Sequence, residues 1–185
     1  RKYILKPVWE DGSLGITEES VFTFDGSIPD ILKGKDDSHW FIEEFIEGRE
    51  FNVSVKSGPD GPVMLPPAEI VFDNYPDDLP RIVSYKAKWE EDTFQYHSSR
   101  RHFPDDLSSS LLNKLQETVI ACWTTFGLRG YARVDMRVDA DENVYVLEIN
   151  ANPCISPDGG FIAAAVHAGQ THEEIISDII RDLNR

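Results

Sequence analysis

Short stretches of alternating apolar and polar residues run through the first half of the chain, and this period of two is typical of β-strands. They predict strands over residues 2–7, 21–24, 41–46, 50–56 and 63–72, the last interrupted by Pro66 and Pro67. A hairpin turn is predicted at 58–61. Residues 74–103 show no clean period, so we expect a long mobile loop there, and loops of this length are usually functional.

The second half begins with a helical pattern, because apolar residues recur every three or four positions between Ser108 and Phe126. Two strands at 131–138 and 144–150, joined by a turn at 139–143, and a helix at 161–168 are predicted to follow. A capping box of Thr171 and Glu174 opens a last helix, whose apolar face is Ile175, Ile176, Ile179, Ile180 and Leu183. This order predicts an α+β fold in which helices flank an antiparallel sheet.

Charge and composition exclude several classes of partner. The 185 residues include 18 Lys and Arg against 33 Asp and Glu, so the formal net charge is −15. We expect neither nucleic acid nor an anionic membrane as a partner, because both need a basic surface. No apolar run approaches the ~20 residues that span a bilayer. Two cysteines are too few for a disulfide scaffold, which favours a reducing, cytoplasmic location.

The predicted hairpin carries the strongest chemical signal. Side chains alternate along strands, so Arg133 and Asp135 share one face, and Glu148 and Asn150 share a face of the partner strand. Carboxylate and amide oxygens suit a hard cation such as Mg²⁺, and an arginine beside them suits a phosphoryl group. The competing interpretation is an exposed strand face with ordinary ion pairs, and the pattern alone favours neither.

A second signal combines Lys6 with a loop at residues 10–15. Small residues allow a backbone to approach phosphate oxygens, and a nearby lysine supplies positive charge. The loop does not match the Walker pattern, and by itself it is more typical of a simple turn.

Taken together, these segments resemble the ATP-grasp superfamily, and within it the D-alanine–D-alanine ligase branch. The resemblance covers residues 2–180 in the family's order, and its most specific part is the hairpin with the stretch 147–153. It implies one ATP-grasp domain over 1–185, with nucleotide-binding strands and the phosphate loop at 1–73, the mobile loop at 74–103 and the remaining elements at 104–185. The family's N-terminal lobe is not present, and a strand follows Arg1 at once, so we expect a fragment of a longer protein.

The resemblance also assigns roles to individual residues. Lys6 and Lys88 would contact the phosphates of ATP. Glu43 and the backbone near Ile46 would contact the adenine, and Glu50 would contact the ribose. The implied ATP-binding residues are therefore Lys6, Glu43, Ile46, Glu50 and Lys88. Two Mg²⁺ ions would be bound by Asp135, Glu148 and Asn150. The implied catalytic residues are Arg133, which would steady the phosphoryl group, together with Lys88, Gly12 and Ser13.

The implied reaction is an ATP- and Mg²⁺-dependent ligation of a carboxylate to an amine through an acyl phosphate. Two loops depart from the branch, since Gly12 replaces a serine and Pro153-Cys154 replaces a Pro-Gly pair. We therefore expect small amino-acid or carboxylate substrates other than a simple D-alanine pair. Two alternative functions stay open: a non-catalytic ATP-binding regulatory module, and a reaction that stops at the acyl phosphate or uses another nucleophile. A homodimeric assembly is a further open expectation.

The remaining features of the sequence are a turn, two cysteines and a pair of arginines. Residues 139–143 begin like a Ca²⁺ loop but lack its required glycine, so a surface turn is expected. Cys122 is expected in the core. Cys154 is not expected to be a catalytic thiol, because no histidine partner is evident near it. Arg100 and Arg101 either bind an anionic substrate group or keep the loop soluble, and the second interpretation is favoured.

Overall fold

The computed structural model describes residues 1–182, so Leu183 of the predicted apolar helix face lies outside the described residues. The strands are β1 (Lys2–Pro7), β2 (Val21–Thr23), β3 (Trp40–Glu44), β4 (Arg49–Gly58), β5 (Gly61–Met64), β6 (Ala68–Phe72), β7 (Ser99–His102), β8 (Tyr131–Val138) and β9 (Val144–Asn150). The α-helices are α1 (Tyr85–Trp89), α2 (Phe94–Ser98), α3 (Ser109–Thr125), α4 (Gly160–His167) and α5 (His172–Asp182). The predicted α+β class is confirmed. In residues 1–182 no helix combines the length and the apolar character needed to cross a membrane.

The chain forms two compact units, and each is built from two separate segments. Unit 1 comprises Arg1–Ile46 and Val71–Arg100. Unit 2 comprises Glu47–Ile70 and the chain from Arg101 onward. The sub-regions that the sequence suggested follow chain order, whereas the units alternate along the chain.

Unit 1 contains a three-stranded antiparallel sheet in the order β2-β1-β3. The central strand pairs Tyr3 with Phe22 on β2 and Leu5 with Ile42 on β3. Leu5 is buried, and the rings of Tyr3 and Phe22 stack with their centroids 6.1 Å apart. The strand ends at Pro7, whose missing N–H cannot continue the ladder. β1 therefore holds the residues just before the glycine-rich loop in a fixed register.

Residues 74–103 contain more regular structure than predicted. Helices α1 and α2 are five residues each, and β7 follows α2 directly. The side chains of Ser84 and Thr93 cap the two helices by accepting hydrogen bonds from backbone N–H groups of the first turns. The prediction of a loop without helices is wrong here, because a five-residue helix is too short to display a 3.6-residue period.

The larger sheet has the order β7-β6-β4-β8-β9. β5 and β6 both pair with β4, on either side of the interruption predicted at Pro66 and Pro67. β4 and β8 pair from Arg49 opposite Val138 to Lys56 opposite Tyr131. The β8–β9 hairpin has the bounds that the sequence predicted.

One face of β4 and β8 is apolar and carries the main core of unit 2. Helix α3 packs on this face through residues spaced three or four apart, as its pattern predicts. The core consists of Phe51, Val53, Val55, Leu111, Leu115, Val119, Cys122, Trp123, Ala132, Val134, Met136 and Val138. Each large apolar side chain buried in this way contributes about 1.5–3 kcal/mol. The prediction that Cys122 is a core residue is confirmed.

The opposite face of the same strands is polar, because alternate residues point away from the core. Helices α4 and α5 cover one end of it with a second apolar cluster of Leu65, Phe161, Ile162, Ala164, Ala165 and Ile175. Lys56 donates a 2.6 Å hydrogen bond to Asp178, which ties β4 to α5. The predicted chemical residues of the hairpin lie on this polar face.

Gly48 sits where the chain enters β4, with a φ of +139°. A Cβ atom at this position would lie 2.0 Å from the backbone oxygen of Val138. No side chain fits in that space, so glycine is what allows the start of β4 to approach the end of β8.

Candidate functional site

Two of the predicted ATP-binding residues form an ion pair in unit 1. Lys6 on β1 reaches across to Glu43 on the neighbouring strand β3, and its side chain is only 17% exposed. Glu43 is 36% exposed. The carboxylate therefore offsets the charge of a largely buried ammonium group and holds it in place, while leaving its own outer edge accessible to solvent.

The glycine-rich loop between β1 and the first 3₁₀ turn has an unusual backbone. Gly12 and Ser13 have φ values of +59° and +66°, and Ser13 is one of the few non-glycine residues of the chain in this region. The hydroxyl of Ser13 donates a 2.7 Å hydrogen bond to the backbone oxygen of Val83. This bond uses the hydroxyl proton, and it fixes a loop conformation that costs about 1–3 kcal/mol at a non-glycine residue.

Helix α1 holds the same loop from its other end. The indole N–H of Trp89 donates a 2.8 Å hydrogen bond to the backbone oxygen of Gly12. The neighbouring Lys88 is exposed, and it makes no salt bridge with any residue of the described part of the chain. Its ammonium group lies 6.0 Å from the centroid of the Trp89 ring. This lysine is therefore available to an anion, and its implied contact with phosphate stays a prediction.

Ile46 lies just past the end of β3, where Phe45 donates a 3.0 Å backbone hydrogen bond to Lys2. Its side chain is half-buried. Nothing in this geometry tests the implied adenine contact, which stays a prediction.

Unit 2 brings the four predicted hairpin residues together. In the β8–β9 register Asp135 stands opposite Glu148, and Arg133 stands opposite Asn150. Opposed residues of antiparallel strands have Cβ atoms about 4.5–5.5 Å apart, so the two carboxylates are close neighbours. A register shift directly after Asp135 marks a β-bulge, a feature often found beside active sites.

Arg133 is the charge centre of this group. Its Nε and Nη2 donate hydrogen bonds of 2.7 Å and 2.8 Å to the two oxygens of Asp135. Its Nη2 lies 3.8 Å from Oε1 of Glu148. Burial by itself would lower the pKa of Arg133, but the hydrogen bonds and charges of Asp135 and Glu148 outweigh it and raise that pKa. The guanidinium group therefore stays charged and rigidly oriented.

The oxygen donors of the hairpin are of the kind that binds Mg²⁺. Two carboxylates and one amide oxygen on one strand face are the hard oxygen ligands that this ion takes. Both oxygens of Asp135 already accept from Arg133, yet each carboxylate oxygen has a second lone pair. Among the described residues no group of three or more His, Cys, Asp and Glu could hold a metal, so Asn150 and further oxygens would have to complete the site.

Glu50, the predicted ribose ligand, is buried in unit 2. Nη2 of Arg137 donates a 3.0 Å hydrogen bond to its Oε2, and the two side chains are 4% and 10% exposed. The implied ribose contact stays a prediction. Arg137 was not predicted, because its position opposite Glu50 becomes visible only once β4 is known to pair with β8.

The loop after β9 carries a short hydrogen-bonded chain. Cys154 lies 2.9 Å from the hydroxyl of Ser156, which donates a 2.6 Å bond to Asp158. Interaction with Ser156, through its side chain first and then its backbone, lowers the pKa of Cys154 from its usual value. Among the described residues this network joins Cys154, Ser156 and Asp158, and the expectation that Cys154 is not a catalytic thiol stays a prediction.

Arg101 enters this region from β7, although the sequence favoured a solubilising role for it. A Cβ atom built on Gly160 would lie 3.6 Å from Nη2 of Arg101 and 3.8 Å from Nη1 of Arg133. The two guanidinium groups therefore meet at the first residue of α4. The double arginine at 100–101 was the signal in the sequence, but nothing there indicated which of the two points to the hairpin.

Comparison with known proteins identifies similar sequences. The family model described as "D-ala D-ala ligase C-terminus" matches residues 3–181. The D-alanine–D-alanine ligase of Pseudoalteromonas translucida (strain TAC 125) is 30% identical over 182 residues, which are 97% of this chain and 54% of that protein. The D-alanine–D-alanine ligase of Synechococcus sp. (strain JA-3-3Ab) is 33% identical over 148 residues, 78% of this chain and 41% of that protein. The chain thus spans about half the length of these curated relatives.

A solved structure shows the same fold. The D-alanine–D-alanine ligase of Bacillus anthracis complexed with ATP superposes with a TM-score of 0.72 over 98% of this chain and 52% of that one, at 20% sequence identity. A likeness at this identity is evidence for the fold alone. It confirms the architecture that the resemblance implied.

Proposed function

Because the chain belongs to the D-alanine–D-alanine ligase C-terminal family, we propose that it supplies the nucleotide- and metal-binding residues of an ATP-dependent carboxylate–amine ligase. In this reaction a carboxylate oxygen of one substrate attacks the γ-phosphorus of ATP, and ADP leaves with the broken bond's electron pair. The amine of a second substrate then attacks the acyl carbon and expels phosphate. Such chemistry needs little covalent work from the protein, so positioning and charge neutralisation dominate.

The observation that carries this proposal is the hairpin register, in which Asp135 faces Glu148 and Arg133 faces Asn150. A bidentate pair with Asp135 fixes the guanidinium plane of Arg133 at 16% exposure. A planar donor fork held in this way matches the oxygens of a phosphoryl group. We assign Arg133 to the transferred phosphoryl group and its developing negative charge.

The metal ligands are assigned to the same hairpin, as Asp135, Glu148 and Asn150. Mg²⁺ bound by these oxygens would neutralise the phosphate charges of ATP. Glu148 is 55% exposed on the edge strand β9, so it is accessible to a ligand, and it also has contacts within the protein. Asp135 is more enclosed and held by Arg133. Two ions are proposed, with Glu148 shared between them.

The contacts with the nucleotide are assigned residue by residue. Lys6 and Lys88 would contact phosphates, Glu43 and the backbone near Ile46 the adenine, and Glu50 the ribose. The fixed charge of Lys6 and the exposed one of Lys88 support the phosphate assignments. Gly12 and Ser13 are assigned to the loop that covers the phosphates, where positive φ values turn the backbone sharply.

The substrates are proposed to be small amino acids or carboxylates other than a D-alanine pair. Two departures support this: Gly12 stands where the branch has serine, and Cys154 stands where it has glycine. Cys154 is exposed and joined to Ser156, so the loop after β9 offers a different surface to a substrate.

Formation of ADP tests this proposal. The chain would be extended to the length of its relatives and incubated with Mg²⁺ and ATP, with amino acids and small carboxylates added singly and in pairs. We expect ADP release that depends on the amino-acid pair, and a new amide product by mass spectrometry. ADP release in no mixture, from a folded protein that binds ATP, would contradict it.

That last result would favour the second candidate, a nucleotide-binding module without catalysis. The observation in its favour is that Arg133 holds both oxygens of Asp135, which weakens that carboxylate as a metal ligand. This candidate predicts ATP binding with no turnover under any condition.

A further inference from the structure

The guanidinium groups of Arg101 and Arg133 both lie close to Gly160, the first residue of α4, but their positive charges are not equally offset by carboxylates. Arg133 pairs with Asp135 through two short hydrogen bonds. Arg101 comes within van der Waals reach of the same glycine, Gly160. Two positive charges that lie close to the same residue repel each other, so the pair of arginines is unfavourable unless an anion lies near both.

No protein group within the described residues supplies that anion to Arg101 by contact. Its guanidinium makes no hydrogen bond and no salt bridge in residues 1–182, and the carboxylate whose charge acts on it is that of Asp158. Asp158 instead accepts the hydroxyl of Ser156. Burial, and after it the charge of Arg133, lowers the pKa of Arg101. Five N–H donors in a fixed fork are therefore left for a ligand.

The start of α4 beside Arg101 is not capped by any side chain. Gly160, the first residue of this helix, has no side chain that could pair with the guanidinium group. The neighbouring arginine, Arg100, differs in this respect, because its Nε is paired with Asp73. A solubilising role explains neither the difference between the two arginines nor the position of Arg101 beside Arg133.

We propose that Arg101 binds a carboxylate of the amine-bearing substrate and so determines which amines the ligase accepts. This inference rests on the proposed function. An amino acid can present such a group in two ways, as its α-carboxylate or as a side-chain carboxylate. Both are planar anions that a guanidinium fork can bind with two parallel hydrogen bonds.

Chemical labelling tests the inference without turnover. The full-length protein, with Mg²⁺ and a non-hydrolysable ATP analogue, would be treated with phenylglyoxal and the modified arginines quantified by mass spectrometry. The probes are the proteinogenic amino acids in both enantiomeric forms, each compared with its α-amide. We expect at least one amino acid to protect Arg101, with Arg100 as the internal control whose labelling does not change.

The amides identify which carboxylate is bound. Loss of protection by the α-amide assigns the α-carboxylate, whereas protection retained by the α-amides of aspartate or glutamate assigns the side-chain group. Protection of Arg101 by none of the amino acids, or equal protection by uncharged amides of alanine and serine, would overturn the inference.

Kinetics give the second readout. With the amine substrate found by the ADP assay, Arg101→Ala is expected to raise its KM by about tenfold or more, with kcat and the KM for ATP nearly unchanged. Arg101→Lys should keep part of the affinity, and Arg100→Ala should change nothing. An unchanged KM in Arg101→Ala contradicts the inference. If no mixture yields ADP, the proposed function fails, while the labelling pattern still decides the role of Arg101.

Discussion

The indole N–H of Trp89 donates a 2.8 Å hydrogen bond to the backbone oxygen of Gly12, which precedes it by 77 residues. The same ring would lie 3.5 Å from a Cβ atom built on Gly12. With Ser13 bonded to Val83, this contact holds the glycine-rich loop at Gly12 and Ser13, two of its three positive-φ residues. Trp89 is therefore expected to order the loop before any phosphate is bound.

Replacement of Trp89 by phenylalanine removes this hydrogen bond and keeps an aromatic ring. A neutral hydrogen bond contributes about 0.5–1.5 kcal/mol, so binding of an ATP analogue should weaken by about two- to tenfold. Isothermal titration would measure the change. Trp9→Phe is the matched control, since the Trp9 indole donates to the backbone of Ser38 instead. Equal weakening in both variants would assign the effect to general destabilisation.

The backbone at Gly48 gives a prediction about folding. Gly48→Ala introduces a Cβ atom 2.0 Å from the backbone of Val138, whereas Gly61 has a similar φ of +129° and no atom near its Cβ position. Both alanine variants carry the backbone strain of a positive φ, about 1–2 kcal/mol. Urea unfolding should show a clearly larger loss for Gly48→Ala than for Gly61→Ala. Similar losses would mean that the approach of β4 to β8 is not as close as described.

The buried pair of Glu50 and Arg137 predicts a coupled effect. Removal of one partner leaves a charge without compensation, which typically costs about 3–5 kcal/mol. Arg137→Met should therefore destabilise strongly, and the double variant Glu50→Gln/Arg137→Met should be more stable than this single variant. The free energy of unfolding measures both. If the loss in free energy of unfolding in the double variant equals the sum of the losses from the two single substitutions, the two side chains are not coupled in the folded protein.

The two cysteines are expected to differ in reactivity. Interaction with Ser156 lowers the pKa of the exposed Cys154, whereas burial raises the pKa of Cys122. A lowered pKa gives more thiolate below the usual thiol pKa, so iodoacetamide should modify Cys154 first. Ser156→Ala should raise the pKa of Cys154 and slow the reaction at that pH. A pH profile of alkylation that does not shift in Ser156→Ala would contradict this assignment.

The sequence predicted elements well where a repeating pattern was long enough to show. Strands β8 and β9 have eight and seven residues and helix α3 has 17, and their bounds agree with prediction to within one residue. The helices α1 and α2 escaped notice because five residues carry no period. The β-bulge after Asp135 could not be predicted either, since alternation does not report the register between two strands.

The same distinction applies to the residues of the candidate site. A local sequence motif predicts site residues such as Arg133 and Asp135, and in the structure these two side chains are hydrogen-bonded to each other. The sequence did not predict contacts between distant segments, such as those of Trp89 with Gly12 and of Arg137 with Glu50. The position of Arg101 beside Arg133 could not be predicted for the same reason, because Arg133 is 32 positions away and on another strand.

The carboxylate of Glu148 provides the most direct test of the proposed chemistry. Glu148→Gln keeps the size of the side chain and removes the charge that the metal assignment needs. ADP formation by the full-length protein with Mg²⁺, ATP and its substrates should fall by about a hundredfold or more. Asp141→Asn, an exposed carboxylate in the turn of the same hairpin, should retain activity and serves as the control. Near-normal ADP formation by Glu148→Gln would contradict the metal site and the ligase mechanism built on it.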